Sequence, residues 1–200
     1  MSLSIRRLSV VVVALISLLP LEAAVGSREG ADALDGKIAQ IQRQGAGLNS
    51  DRALRTPVSE DELNSWLRYR SQPWLPEDLE QPQITFIGDG AITAQAIVDL
   101  EAVLKERPSA SGFDPISLFG GKVPVAVTGV LRSGDGVARL VVQTVLVSGF
   151  PVPVAMLQEL ASYYSRTPEK PLGLRLDDAF DLPAGIRRID IGPKQALVVQ

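Results

Sequence analysis

The sequence contains neither cysteine nor histidine, and only 5% of its residues are aromatic. Without cysteine there is no disulfide, no thiolate nucleophile, no cysteine-ligated zinc and no iron–sulfur cluster. Without histidine there is no Ser-His-Asp triad and no imidazole general base, the side chain most used near neutral pH. Histidine-held haem is excluded on the same ground. Carboxylate, lysine and tyrosine chemistry stay open. The scarcity of rings argues against a base-stacking platform, and the formal charge of -3 comes without a basic run to neutralise phosphodiesters. These absences lean away from enzymes, and they predict no cofactor, no metal and no nucleic-acid partner.

What is present is apolar. Hydrophobic residues make up 46% of the 200 residues and charged ones 22%, interspersed, which suits one packed domain. Arg6 and Arg7 precede an apolar run from Leu8 to Leu21 that falls short of the ~20 residues needed to span a membrane. Ala24-Val25-Gly26 fits the small-residue pattern of a cleavage site, and Pro20 breaks the run before it. Residues 1–26 therefore read as a signal peptide, with an uncleaved anchor as the alternative. The expected location is the periplasm or another extracytoplasmic space, without the lipid attachment that a cysteine after the run would allow.

Residues 27–57 read as an N-terminal helix and linker. Leu34, Ile38 and Ile41 make one narrow stripe of a short helix over 32–43, and Gly45, Gly47 and Asn49 open a linker toward Pro57. Residues 58–200 read as a single α+β domain. Ser59-Glu60-Asp61-Glu62 is a capping box, and Leu63, Trp66 and Leu67 follow on one helix face, with Trp66 as a core anchor. Ile84–Ile87 and Ile92–Leu100 flank a Gly88-Asp89-Gly90 turn. Lys122–Arg132 and Val137–Val147 flank Gly134-Asp135-Gly136. Residues 101–121 read as a long loop or crossover. A helix follows Pro151-Val152-Pro153, and Ile186–Ile191 with Ala196–Val199 read as a closing hairpin.

Strict alternation puts Val123, Val125 and Val127 on one face. In the next strand it puts Val141, Val145 and Val147 on one face, and Leu140, Val142 and Leu146 on the other. A strand apolar on both faces must be covered twice, by a core and by either a helix or an apolar ligand. The expected architecture is a curved antiparallel sheet wrapped around a helix. Its apolar groove would be lined by Val125, Val127, Val141, Val145, Leu157 and Leu160.

Catalytic patterns are missing. No lysine stands three residues after a serine, and neither G-x-x-x-x-G-K-[ST] nor G-x-G-x-x-G occurs. Asp177, Asp178 and Asp181 lack EF-hand spacing and read as solvated loop acids. A hydrolase built on two acids distant in sequence stays open as an alternative.

Three stretches resemble a group of bacterial envelope lipid-binding proteins, the LmeA-like phospholipid-binding proteins and the YceB-like lipoproteins. Ser59 to Leu67 is similar to the "T/S-x-x-E-L-N-x-x-L" helix start of the YceB-like group. Val152-Pro153 with Leu157 and Leu160 resembles the helix after the central strands. Phe180-Asp181-Leu182-Pro183-Ala184-Gly185-Ile186, then Ile189, Ile191 and Leu197-Val198-Val199, resembles the closing hairpin of the LmeA-like group. Together they cover about a quarter of the chain, and the lipobox cysteine of the lipoprotein members is missing. The resemblance implies a tubular lipid-binding (TULIP-like) fold and binding or transfer of phospholipid or another apolar ligand, with transient membrane-surface contact. It supplies no catalytic residue. An envelope scaffold that meets protein through the same apolar surfaces is the other reading.

Overall fold

A computed structural model describes residues 26–47, 53–71, 75, 79–101, 120–164, 171–173 and 175–200, without the side chains of 159, 160, 163 and 164. The expected signal segment (residues 1–26) and the loop expected over 101–121 lie outside these residues, except Gly26, Glu101, Gly120 and Gly121.

The first helix, α1 (Arg28–Ala46), is longer than its apolar stripe predicts. Its start is set by Ser27, whose hydroxyl accepts from the Gly30 amide at 2.9 Å. The stripe is buried: Leu34 and Ile41 join Val58, Ile186 and Val198 in one cluster, with Ile38 and Trp66 packed against it. Residues 55–57, expected as linker, belong to strand β1 (Arg55–Ser59). Thr56 and Val58 point inward while Arg55 and Pro57 face out, so a short alternation lies hidden around the proline.

The capping box forms at the start of α2 (Glu60–Tyr69). Ser59 Oγ accepts from the Glu62 amide at 3.1 Å, and Glu62 Oε2 accepts from the Ser59 amide at 2.9 Å. Helices α1 and α2 cross closely because small residues meet there. A Cβ on Gly26 or Gly30 would press on Ser65, whose hydroxyl takes the Ser27 amide at 3.1 Å. Trp66 anchors the core as expected, and its Nε1 donates to Asp35 at 2.7 Å.

The strands form two antiparallel sheets. The small one runs β1–β9–β8, with β8 spanning Arg188–Gly192 and β9 Gln195–Val199. The large one is curved and unclosed, in the order β2 (Leu79–Gly88), β3 (Ala91–Asp99), β4 (Lys122–Gly134), β5 (Val137–Val147), β6 (Phe150–Val152). A further strand, β7 (Ala179–Asp181), pairs with the other end of β5. The architecture is therefore α+β. Both Gly-Asp-Gly turns take the predicted left-handed conformation, with φ of 53° and 81° at Asp89 and Gly90 and 52° and 82° at Asp135 and Gly136.

Packing concentrates at the two ends of one face of the large sheet. At the turn end, Phe86, Ile92 and Leu131 pack on Ile191 and Ala196 of the small sheet. At the far end, Leu100, Val123 and Val147 receive Val152 and Met156. Met156 belongs to α3 (Val154–Tyr164), the helix expected after the paired prolines. Among the described residues, no helix is long and apolar enough to cross a membrane.

Candidate functional site

Strand register decides which of the expected groove residues meet. Ala96 pairs with Val125, Ala94 with Val127, Val127 with Val145 and Val125 with Val147, so all of these lie on the inner face. Val145 is buried, and Val125 and Val127 are half-buried. Val125 packs into the cluster under α3. Val125, Val127 and Val145 therefore come together.

Val141 does not join them. The β4–β5 register steps from Thr128↔Thr144 to Gly129↔Val142, leaving Gln143 as an extra residue. Such a bulge shifts the alternation by one, so Leu140 and Val142 turn inward beside Val145 and Val147. Val141 pairs with Val130 on the outer face and is 38% exposed. The expectation that Val141, Val145 and Val147 share a face is corrected by this single bulge. On α3, Leu157 is half-buried while the helix meets the sheet cluster through Met156. The side chain of Leu160 lies outside the described residues.

The cavity of the large sheet is on its outer face, an open depression of about 310 Å³. Its floor is Ile97, Pro124, Ala126 and Leu146, contributed by β3, β4 and β5, and its rim carries the carboxamides of Gln81, Gln83 and Gln95. Gln83 and Gln95 are direct cross-strand partners. Gln81, held at φ 50°, sits where the β2–β3 register shifts between Glu80 and Gln83. That bulge bends the edge strand over the floor. Val125 also borders the depression and, among the described residues, is the one expected groove residue that does so.

Two residues of this floor carried a signal in the sequence. Ile97 breaks the polar face of β3, and Leu146 makes β5 apolar on its second face. Pro124 and Ala126 carried none, being unremarkable in a valine-rich strand.

No protein-family model and no curated protein matches this sequence. What the site can do follows from its own residues.

Among the described residues the lining contains no acid, base, hydroxyl or thiol: it is glutamine, proline, glycine and aliphatic residues. The nearest charges along the strands are those of Glu80, which pairs with Ile97, and of the cross-strand partners Lys122 and Asp99; Glu80 and Lys122 are joined at 2.6 Å. Glu80, accepting from the ammonium, raises the Lys122 pKa above its ordinary value. Neither side chain lines the floor. The carboxylates Asp177 and Asp178 lie elsewhere, beside Arg175 at 3.3 and 3.7 Å. Among the described residues, no group of three or more acids could hold a metal ion. Asn64, two residues before Trp66, is structural: it is bonded to the edge of β2.

Proposed function

We propose that the chain is an exported, non-catalytic binding protein of the cell envelope that takes a phospholipid or another apolar ligand on a TULIP-like curved sheet. The observation that carries this reading is the composition of the depression, an aliphatic floor inside a rim of uncharged amides. Apolar contact is worth about 25 cal/mol per Å² removed from water, and the amides orient a polar ester without catalysing its hydrolysis. At about 310 Å³ the depression lies at the lower end of small-molecule sites and suits one aliphatic chain. The apolar run of residues 8–21 supports export.

Native mass spectrometry of the protein recovered from a bacterial host tests the reading. Bound lipid is expected in the parent and is lost in Leu146→Asp, which places a charge on the floor. A parent free of lipid that also takes up none from vesicles overturns it.

A protein-interaction module is the second reading, favoured by a gap in the sheet edge. Strand β6 covers Val145–Val147 and β7 covers Val137–Arg139, leaving the outer edge of β5 from Leu140 to Thr144 without a strand partner among the described residues. Phe150 and Phe180, 64% and 49% exposed, belong to the two strands that bound this gap.

A further inference from the structure

The outer face of the β4–β5 hairpin carries two arginines in a position that strands usually avoid. Arg132 and Arg139 are direct cross-strand partners, both exposed. Like charges on one rung repel and cost stability. The other cation of this sheet, Lys122, is neutralised by Glu80. Arg132 and Arg139 form no ion pair among the described residues. Asp177 feels Arg139 only weakly; its carboxyl is lowered first by the hydrogen bond and charge of Arg175. Asp181 opposes Val137, one rung further toward the turn.

Below the arginines the same face carries no charge and leads into the depression. The next rung is Val130 with Val141, followed by Thr128 with Thr144 and then Ala126 with Leu146, which line the floor. From Arg132 to Ala126 is six residues of strand, about 20 Å at ~3.3 Å each. That is the length of one lipid in half a bilayer of about 40 Å.

Resting on the reading of the depression as an apolar-ligand site, we propose that the ligand is a phospholipid lying along this face, with its phosphate held between Arg132 and Arg139. Two guanidinium forks present parallel N–H donors to phosphate oxygens, and the anion removes the repulsion between them. The chain then runs over Val130 and Val141 into the depression. The same pair of donors would accept phosphate from any source, so the headgroup must be distinguished from the free anion.

The experiment is a titration of the full chain with short-chain phosphatidylglycerol and with diacylglycerol of the same chain length, each in the presence and absence of inorganic phosphate. The parent is expected to bind the phosphatidylglycerol at least about tenfold more tightly than the diacylglycerol, the scale of one charge-assisted hydrogen bond. The double variant R132Q/R139Q should lose that preference and keep the diacylglycerol affinity. Because both side chains are exposed and mutually repulsive, its melting temperature should equal or exceed the parent's. R175Q, at an arginine already paired to Asp177 and Asp178, should bind like the parent.

An unchanged preference in the double variant overturns the proposal, as does a free phosphate that binds the pair as tightly as the lipid. A parent that binds diacylglycerol without preferring the phospholipid overturns this inference alone. A parent that binds neither lipid overturns the binding function together with it.

Discussion

The carboxamide of Asn64 is paired with the backbone of Ile84: Nδ2 donates to the Ile84 carbonyl at 2.8 Å and Oδ1 accepts from its amide at 2.7 Å. A helix side chain thus takes the place of a neighbouring strand along the edge of β2. Glu60 continues the arrangement by accepting from the Phe86 amide at 2.7 Å, and the Lys194 amide donates to the Phe86 carbonyl at 3.1 Å. The edge of the large sheet that faces α2 is closed without another strand.

Asn64→Ala leaves the Ile84 amide and carbonyl without their partners in a buried setting and should cost about 1–3 kcal/mol. Asn64→Asp keeps an acceptor for the amide but turns an oxygen toward the carbonyl. Its loss should be larger at neutral pH than in acid, where the protonated carboxyl donates again. Urea denaturation of both variants at two pH values checks the ordering. Equal losses for Asp at both pH values would contradict it.

Lys37 and Glu62 tie α1 to α2 and β1. The Lys37 ammonium donates to both Glu62 oxygens at 2.7 Å and to the Pro57 carbonyl at 2.6 Å. Burial pushes the Glu62 carboxyl up, but the Lys37 ammonium and the Ser59 backbone amide outweigh it, so its pKa falls below the ordinary 4.5. A lowered folded-state pKa contributes stability that is complete above the unfolded value and lost as pH falls through the folded one. Glu62→Gln should therefore cost about 1–2 kcal/mol at neutral pH, from the weakened cap and the lost ion pair. The difference from the parent should shrink below pH 4.5, which acid titrations of stability for the two proteins can measure.

Features specified by neighbouring residues were legible in the sequence. The capping box, the two Gly-Asp-Gly turns and the Trp66 anchor depend on side chains within a few positions of one another. Strand β1 was not legible, because its partner β9 begins at Gln195 and only Thr56 and Val58 carry its alternation. The outer-face site was half legible. Ile97 and Leu146 announced a second apolar face, but the bulge at Gln143 has no glycine or proline to mark it. It therefore reversed the assignment of Leu140, Val141 and Val142. The arginine rung became visible only once β4 and β5 were in register.

Two glycines of α1 should respond oppositely to alanine. Gly36 has open space around the position of a Cβ, so Gly36→Ala should stabilise the helix by about 0.5–1 kcal/mol. Gly45 packs directly on the Ala184 backbone, and a Cβ there would overlap its carbonyl. Helix propensity predicts a gain at Gly45 as well, but the overlap with backbone cannot be relieved by a rotamer change. Gly45→Ala should lower the melting temperature and Gly36→Ala should raise it, by about 2–4 °C per kcal/mol in a domain of this size. A gain at both sites would mean that α1 does not rest on Ala184.

The absence of native cysteine makes the bulge directly testable. Val141→Cys and Val145→Cys each introduce one thiol into a chain that has no other. Unbroken alternation from 141 to 145 would make the two thiols equally accessible, since residues four apart share a face. The bulge at Gln143 separates them, with Val145 3% exposed on the inner face and Val141 38% exposed on the outer one. A soluble maleimide should label the Val141→Cys variant in its native state at close to the rate of a free thiol. The Val145→Cys variant should react only as fast as the protein opens, slower by orders of magnitude and accelerated by urea. Deleting Gln143 removes the extra residue and leaves positions 141 and 145 three apart, on opposite faces of a regular strand that keeps its partners on β4. In a folded Gln143 deletion, the reactivities of the two thiols should therefore stay as far apart as in the intact chain. Equal labelling in the intact chain would remove the bulge, and with it the outer-face path from Arg139 through Val141 to Leu146.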